Sequence, residues 1–179
     1  MSNSFLICQL SDIHFIDNNE KIAGQIDTAL QFNKALKFCN SLIPQPDIFI
    51  MSGDLIQDNP NFYTKFIELS KILRKPYYLM MGNHDNRNGL KQIIPNKNLI
   101  DPHGFINFSI NEFPIRIIAL DTVIENANEG IITVNTFNWL KSELDKDLEK
   151  PTIIFMHRPP ISIGSVIFDN IKCMNGIEF

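Results

Sequence analysis

Ile48-Phe49-Ile50-Met51-Ser52-Gly53-Asp54 is a run of four apolar residues that leads straight into a serine, a glycine and a carboxylate. After the turn residues Pro46-Asp47, such a run has the length and composition of a short strand buried on both faces. Three other runs end in the same way. Phe5–Leu10 leads to Ser11-Asp12-Ile13-His14, Pro76–Met81 to Gly82-Asn83-His84-Asp85, and Thr152–Met156 to His157-Arg158-Pro159-Pro160. Ile115–Leu120 is a further run, and Phe105–Ile110 reads as a strand joined to it through Asn111–Pro114 as a hairpin.

Helical periodicity fills the intervals. Ala29, Phe32, Leu36, Cys39 and Ile43 recur at steps of three and four, with Asp27 or Thr28 as the cap and Pro44 beyond the end. Phe62, Phe66, Leu69 and Leu73 repeat the pattern after Asn59-Pro60, and Phe137, Leu140, Leu144 and Leu148 do so after a Thr133 cap. Strand–helix–strand alternation predicts an α/β fold with a mostly parallel sheet and helices outside it. Ligands of such sheets bind beyond the carboxyl ends of the strands. By this reading, His14, His84 and His157, three of the four histidines, lie at one edge of one sheet. The fourth, His103 in Asp-Pro-His-Gly, reads as a surface turn residue.

Composition narrows the function classes. The chain has 179 residues, 44% of them hydrophobic and 20% charged, the profile of a globular domain. Its formal net charge of -4 offers no broad basic surface to a long nucleic acid. An anionic substrate must then be held locally, for instance through bound cations. No apolar run approaches the roughly 18 residues of a bilayer span, and the start lacks the basic region of a signal peptide. Cys8, Cys39 and Cys173 are widely spaced without a CxxC, which reads as isolated thiols in a reducing cytoplasm.

The strand-end residues carry the chemistry. Asp12 and His14 are separated by one residue, so in extended backbone their side chains face the same way. With Asp54 they offer two carboxylates and one imidazole to a first divalent cation, and Asp54 can bridge to a second that Asn83 and His157 help to hold. This oxygen and nitrogen set suits Mn, Fe, Zn or Co. Two cations a few ångströms apart clamp the attacking and departing oxygens in displacement at phosphorus. Gly53 and Gly82 let the backbone bend where the ligands converge. Asp121, after Ile115–Leu120, reads as the cap of the following turn and not as a ligand.

The ordered set Asp12-x-His14, Gly53-Asp54, Gly82-Asn83-His84-Asp85 and His157 resembles the calcineurin-like metallophosphoesterase superfamily. Within it the chain is most similar to the bacterial class III cyclic-nucleotide phosphodiesterases, including the glycerophosphodiesterase group. The resemblance implies a β-sandwich flanked by helices (αββα) and a binuclear centre that activates a bridging water. Asp12, His14 and Asp54 would hold one metal, and Asp54, Asn83 and His157 the other. His84 would be catalytic, contacting the scissile phosphate or protonating the leaving oxygen; Asn83 and His84 would also contact substrate. Asp85, next in sequence, is a candidate to help hold His84, which adjacency alone does not show. Arg158 stands where cyclic-nucleotide members carry a second histidine; it either contacts substrate phosphate or faces solvent.

Two departures from the family pattern matter. Gly53-Asp54-Leu55-Ile56-Gln57-Asp58-Asn59 lacks the arginine of the phosphoprotein phosphatases, which argues against that activity. The family's G-H-x-H segment is absent between His157 and Phe179. The expectation is therefore a single, incomplete domain over 1–179, lacking the C-terminal strands and exposing a sheet edge through which copies can associate. The leading function is a metal-dependent phosphodiesterase acting on cyclic nucleotides, cyclic AMP first. The alternatives are an inactive remnant binding metal or nucleotide weakly, and a nucleotidase, nucleotide-diphosphate hydrolase or nuclease. A small phosphodiester or nucleotide is the expected partner, with no membrane and no long nucleic acid.

Overall fold

The computed structural model describes residues 4–17, 20–94 and 96–178. Its contacts divide the chain into two compact units. One comprises the residues up to Leu79 with His84–Ile93, the other Met80–Asn83 with Ile94 onward.

In the first unit, β1 (Ile7–Leu10), β2 (Ile48–Met51) and β3 (Tyr77–Leu79) form a parallel sheet in that order. All four residues of β2 are buried, as its unbroken apolar run requires of a central strand. α1 (Thr28–Ser41) and α2 (Phe62–Ser70) supply the crossovers, and α3 (Arg87–Ile93) follows the β3 loop. The Asp27 carboxylate caps α1 by accepting the Leu30 N–H at 2.8 Å, and Thr28, Phe32, Leu36 and Cys39 form its inward stripe. Three aromatic rings knit this core: Phe32 stacks on Phe66 at 4.8 Å, and Phe15 meets both edge-on at about 6 Å. Leu10 pairs with Met51 and Met51 with Leu79, so the three strands end level with one another.

In the second unit, β4 (Phe108–Ile110) runs antiparallel to β5 (Arg116–Leu120), which pairs in parallel with β6 (Thr152–Met156). α4 (Val134–Leu144) makes the crossover, opened by a Thr133 hydroxyl that accepts the Thr136 N–H at 3.0 Å. Ile118, Leu120 and Leu140 are its buried centre, with Trp139, Leu144, Ile154 and Met156 packed against them. The short α5 (Val166–Asp169) buries none of its side chains.

The α/β class is as expected, and each anticipated strand is present. The strands do not share one sheet, however. His14 and His84 follow strands of the parallel sheet, whereas His157 follows β6 of the mixed sheet. Periodicity reports that a strand is buried but not which neighbour it pairs with. α3 was not anticipated, because Leu90 is its one buried side chain and no apolar stripe marks it. Leu148 lies beyond the end of α4 and is exposed. Among the described residues no helix is long and apolar enough to cross a membrane.

Among the described residues Arg116 is the largest side chain buried to this degree, at 1% exposure. Its guanidinium donates to the carbonyl of Glu143 at 2.5 Å and to that of Asp147, placing a cation where α4 ends. Arg116→Met would leave both carbonyls without that donor. It is expected to destabilise the protein by about 2–4 kcal/mol, read as a lower urea midpoint at unchanged slope.

Candidate metal centre

The level strand ends of the parallel sheet set the position of the site. Beyond β1 and β2 the two loops continue to bond to each other. Asp12 N donates to Gly53 O (3.2 Å), His14 N to Asp54 O (2.8 Å), Phe15 N to Leu55 O (3.0 Å), and Gln57 N to Phe15 O (3.1 Å). Phe15 then plugs into the aromatic core with no exposed surface, which anchors the turn that carries His14.

The backbone of this pair of loops is wound, not extended. Asp12, His14, Asp54 and Asp58 have φ of +53°, +46°, +50° and +57°, beside Gly53 at +99°. Residues other than glycine cost of order 1 kcal/mol in this left-handed region and persist where the surroundings dictate the geometry. The expectation that Asp12 and His14 point together because the chain is extended is therefore corrected. Two left-handed residues flanking Ile13 bring them together instead, with His14 Nε2 at 4.0 Å from Asp12 Oδ1.

His14 Nε2 also lies 3.5 Å from Asp54 Oδ2. Both separations exceed a good hydrogen bond yet match the roughly 3–4 Å between ligands bound at about 2.1 Å to one cation. Asp54 is 3% exposed, so its carboxylate is held away from bulk water, where a bound cation would stabilise its charge. His14, Asp54 and His84 each offer one ligand atom, all within 4.8 Å of one another. A set of hard oxygen and imidazole nitrogen fits a divalent cation.

Hydrogen bonds fix both imidazoles. Gln57 Oε1 lies 2.8 Å from His14 Nδ1, and a carbonyl oxygen only accepts, so Nδ1 donates and Nε2 faces the carboxylates. His84 Nδ1 lies 2.8 Å from Asp58 Oδ1 and 3.2 Å from Gln57 Nε2. The carboxylate contact is the shorter, and Gln57 Nε2 already donates to Asp58 Oδ2 at 2.6 Å, so Nδ1 donates to Asp58. His84 N donates to Asp54 Oδ1 at 2.9 Å, and the two imidazole rings meet edge-on at 4.8 Å.

Asp85 does a different task from the one expected. Its carboxylate accepts the Leu55 N–H (3.1 Å), the Ile56 N–H (3.3 Å) and the Tyr63 hydroxyl (3.0 Å), so it holds the loop that carries Asp54. Burial, with the Asp85 charge beside it, pushes the Tyr63 hydroxyl far above its ordinary value and keeps it a donor. The ring of His84 is held by Asp58 instead. Neither Gln57 nor Asp58 was singled out from the sequence, where they appear only as a departure from the phosphatase motif.

In the second unit, His157 follows β6 directly and is half-buried. Arg158 donates from its guanidinium to Asn83 Oδ1, the amide oxygen expected to serve a cation. Asp121 accepts the Ile106 N–H (3.1 Å) and the Val123 N–H (3.2 Å), so it holds a turn. His103 is exposed in a turn whose Asp101 accepts its N–H.

A model of the family described as calcineurin-like phosphoesterase matches residues 5–178. The chain is 32% identical over 176 residues to glycerophosphodiester phosphodiesterase GpdQ of Enterobacter lignolyticus, covering 96% of this chain and 63% of that protein. It is 28% identical over 173 residues to a 3',5'-cyclic-nucleotide phosphodiesterase of Nostoc sp., again covering 96% and 63%. The chain thus spans 63% of the length of each of these curated relatives. Among solved structures, a dimetal phosphatase from Danio rerio has a TM-score of 0.71 at 13% identity, over 97% of this chain and 75% of that one. At that identity the likeness is one of fold.

Gln57 connects the two imidazoles, so its loss should be felt in cation binding. Gln57→Ala is expected to weaken Mn²⁺ affinity by about 10–100-fold in a calorimetric titration, without a comparable loss of thermal stability.

Proposed function

The chain belongs to the calcineurin-like phosphoesterase family, and on that premise we propose that it is a metal-dependent hydrolase of small phosphodiesters, with 3',5'-cyclic nucleotides as the first substrate class. The observation that carries this reading is the convergence of His14, Asp54 and His84 at the carboxyl ends of a parallel sheet, with both imidazoles oriented from behind.

Bound divalent cations would supply Lewis acidity toward phosphoryl oxygens and lower the pKa of a coordinated water. The chain's own residues do the rest. Asp12, His14 and Asp54 hold one cation, and the family motif assigns Asn83 and His157, with Asp54, to a second. His84 is the catalytic residue: with Nδ1 committed to Asp58, its Nε2 faces the phosphodiester and carries the proton to the leaving oxygen. Asp58 is a positioning residue that fixes the ring through Nδ1. Arg158 holds the amide of Asn83 through its guanidinium, a group whose planar fork matches a phosphate oxygen pair.

A second substrate class is favoured by the GpdQ relative, whose name is that of a glycerophosphodiester phosphodiesterase. The formal charge of -4 sets long nucleic acids apart from both. Three cysteines carried as free thiols suit the cytoplasm.

The Mn²⁺-loaded chain is expected to hydrolyse bis(p-nitrophenyl) phosphate, and cyclic AMP faster than a glycerophosphodiester. His84→Ala should lower kcat by about 10²–10⁴-fold with Mn²⁺ still bound. A variant that loses the cation instead makes His84 a ligand, and an inactive chain with weak cation binding identifies the remnant.

A further inference from the structure

Cys8 and Cys39 are 31 positions apart, yet their sulfurs lie 3.9 Å from each other. Reading all three cysteines as isolated thiols is corrected here. Cys8 sits in β1, and Cys39 is the last member of the α1 stripe Thr28, Phe32, Leu36, Cys39, one turn beyond Leu36. We propose that Cys8 and Cys39 are an oxidisable pair that closes into a disulfide when the protein meets a peroxide.

A disulfide needs sulfurs about 2.05 Å apart on β-carbons about 3.8 Å apart. The two sulfurs, 3.9 Å apart, have to close by about 2 Å for the bond to form. The two thiols differ in access. Cys8 is half-buried on an edge strand, whereas Cys39 is 3% exposed. Burial, and then the neighbouring Cys8, push the Cys39 thiol up to about 11, and the more accessible Cys8 is the one a peroxide meets first.

Its sulfur attacks one peroxide oxygen, the O–O bond breaks, and the sulfur becomes a sulfenic acid as one water leaves. The Cys39 sulfur then displaces the sulfenic hydroxyl, which departs as a second water carrying the other thiol proton. Two thiols are oxidised by two electrons in total and one peroxide is reduced. The closed segment contains Asp12 and His14, so the bond ties the strand and helix on either side of two candidate ligands.

The test uses the full chain in chelator, treated with hydrogen peroxide and then unfolded for thiol counting. The expected result is a fall from three thiols to one, a monomer lighter by about 2 Da, and a linked peptide pair holding Cys8 and Cys39, all reversed by dithiothreitol. Cys173→Ala should still lose two thiols. Cys8→Ser, at the less buried position, should show no mass loss while keeping native circular dichroism. Three persistent thiols would overturn the proposal. So would oxygen added at Cys8 without a link, or a disulfide-bonded dimer.

Discussion

The candidate site depends on one constraint: the loop after β2 must stay bonded to the loop after β1 although both have left their strands. The ladder from Asp12–Gly53 through Gln57–Phe15 extends the sheet's pairing across backbone that is no longer extended. Left-handed residues at Asp12, His14, Asp54 and Asp58 are tolerable only because that ladder and its surroundings fix them. Phe15 secures one loop from the core, and Asp85 secures the other through two amides and the Tyr63 hydroxyl. A change in either anchor acts on the site without touching a ligand atom.

Much of this was legible in the sequence. Short apolar runs bounded by turn residues located the six strands of the described residues, and the polar residues at their ends supplied the candidate ligands. What stayed hidden was lateral and three-dimensional. The division into a parallel and a mixed sheet depends on which strands pair, and β5 takes β4 on one side and β6 on the other without any mark in its own residues. The contact of Cys8 with Cys39 arises because the last member of the α1 stripe ends beside β1, a juxtaposition no spacing encodes. Gln57 and Asp58 were visible as residues but not as partners, since sequence does not tell which imidazole an amide reaches.

Electrostatics explains why so acidic a loop pair forms at all. Asp12, Asp54, Asp58 and Asp85 gather around two imidazoles, and carboxylates so close together repel. Asp85 is satisfied by N–H and O–H donors, and Asp58 by Gln57 and His84. Asp54 accepts the amide of His84 through one oxygen and turns the other toward His14 Nε2 at 3.5 Å. A cation held between Asp12, His14 and Asp54 would offset the carboxylate charge on that side of the loop pair.

The partners of the two imidazoles differ in exposure more than the rings themselves do. The side chains of His14 and Asp54 are 24% and 5% exposed, whereas those of His84 and Asp58 are 32% and 67% exposed. A cation ligand gains from burial, because low dielectric strengthens its attraction and excludes competing water. A group that passes a proton to a departing alcohol must instead be reached by substrate and then regain its proton from solvent. Asp58, open to water and bonded behind His84, suits that second requirement as a buried carboxylate would not. The two histidines share one amide in Gln57, yet His14 Nε2 turns to the buried Asp54 while His84 Nδ1 is braced by the open Asp58, which is how the proposed chemistry divides cation from phosphodiester.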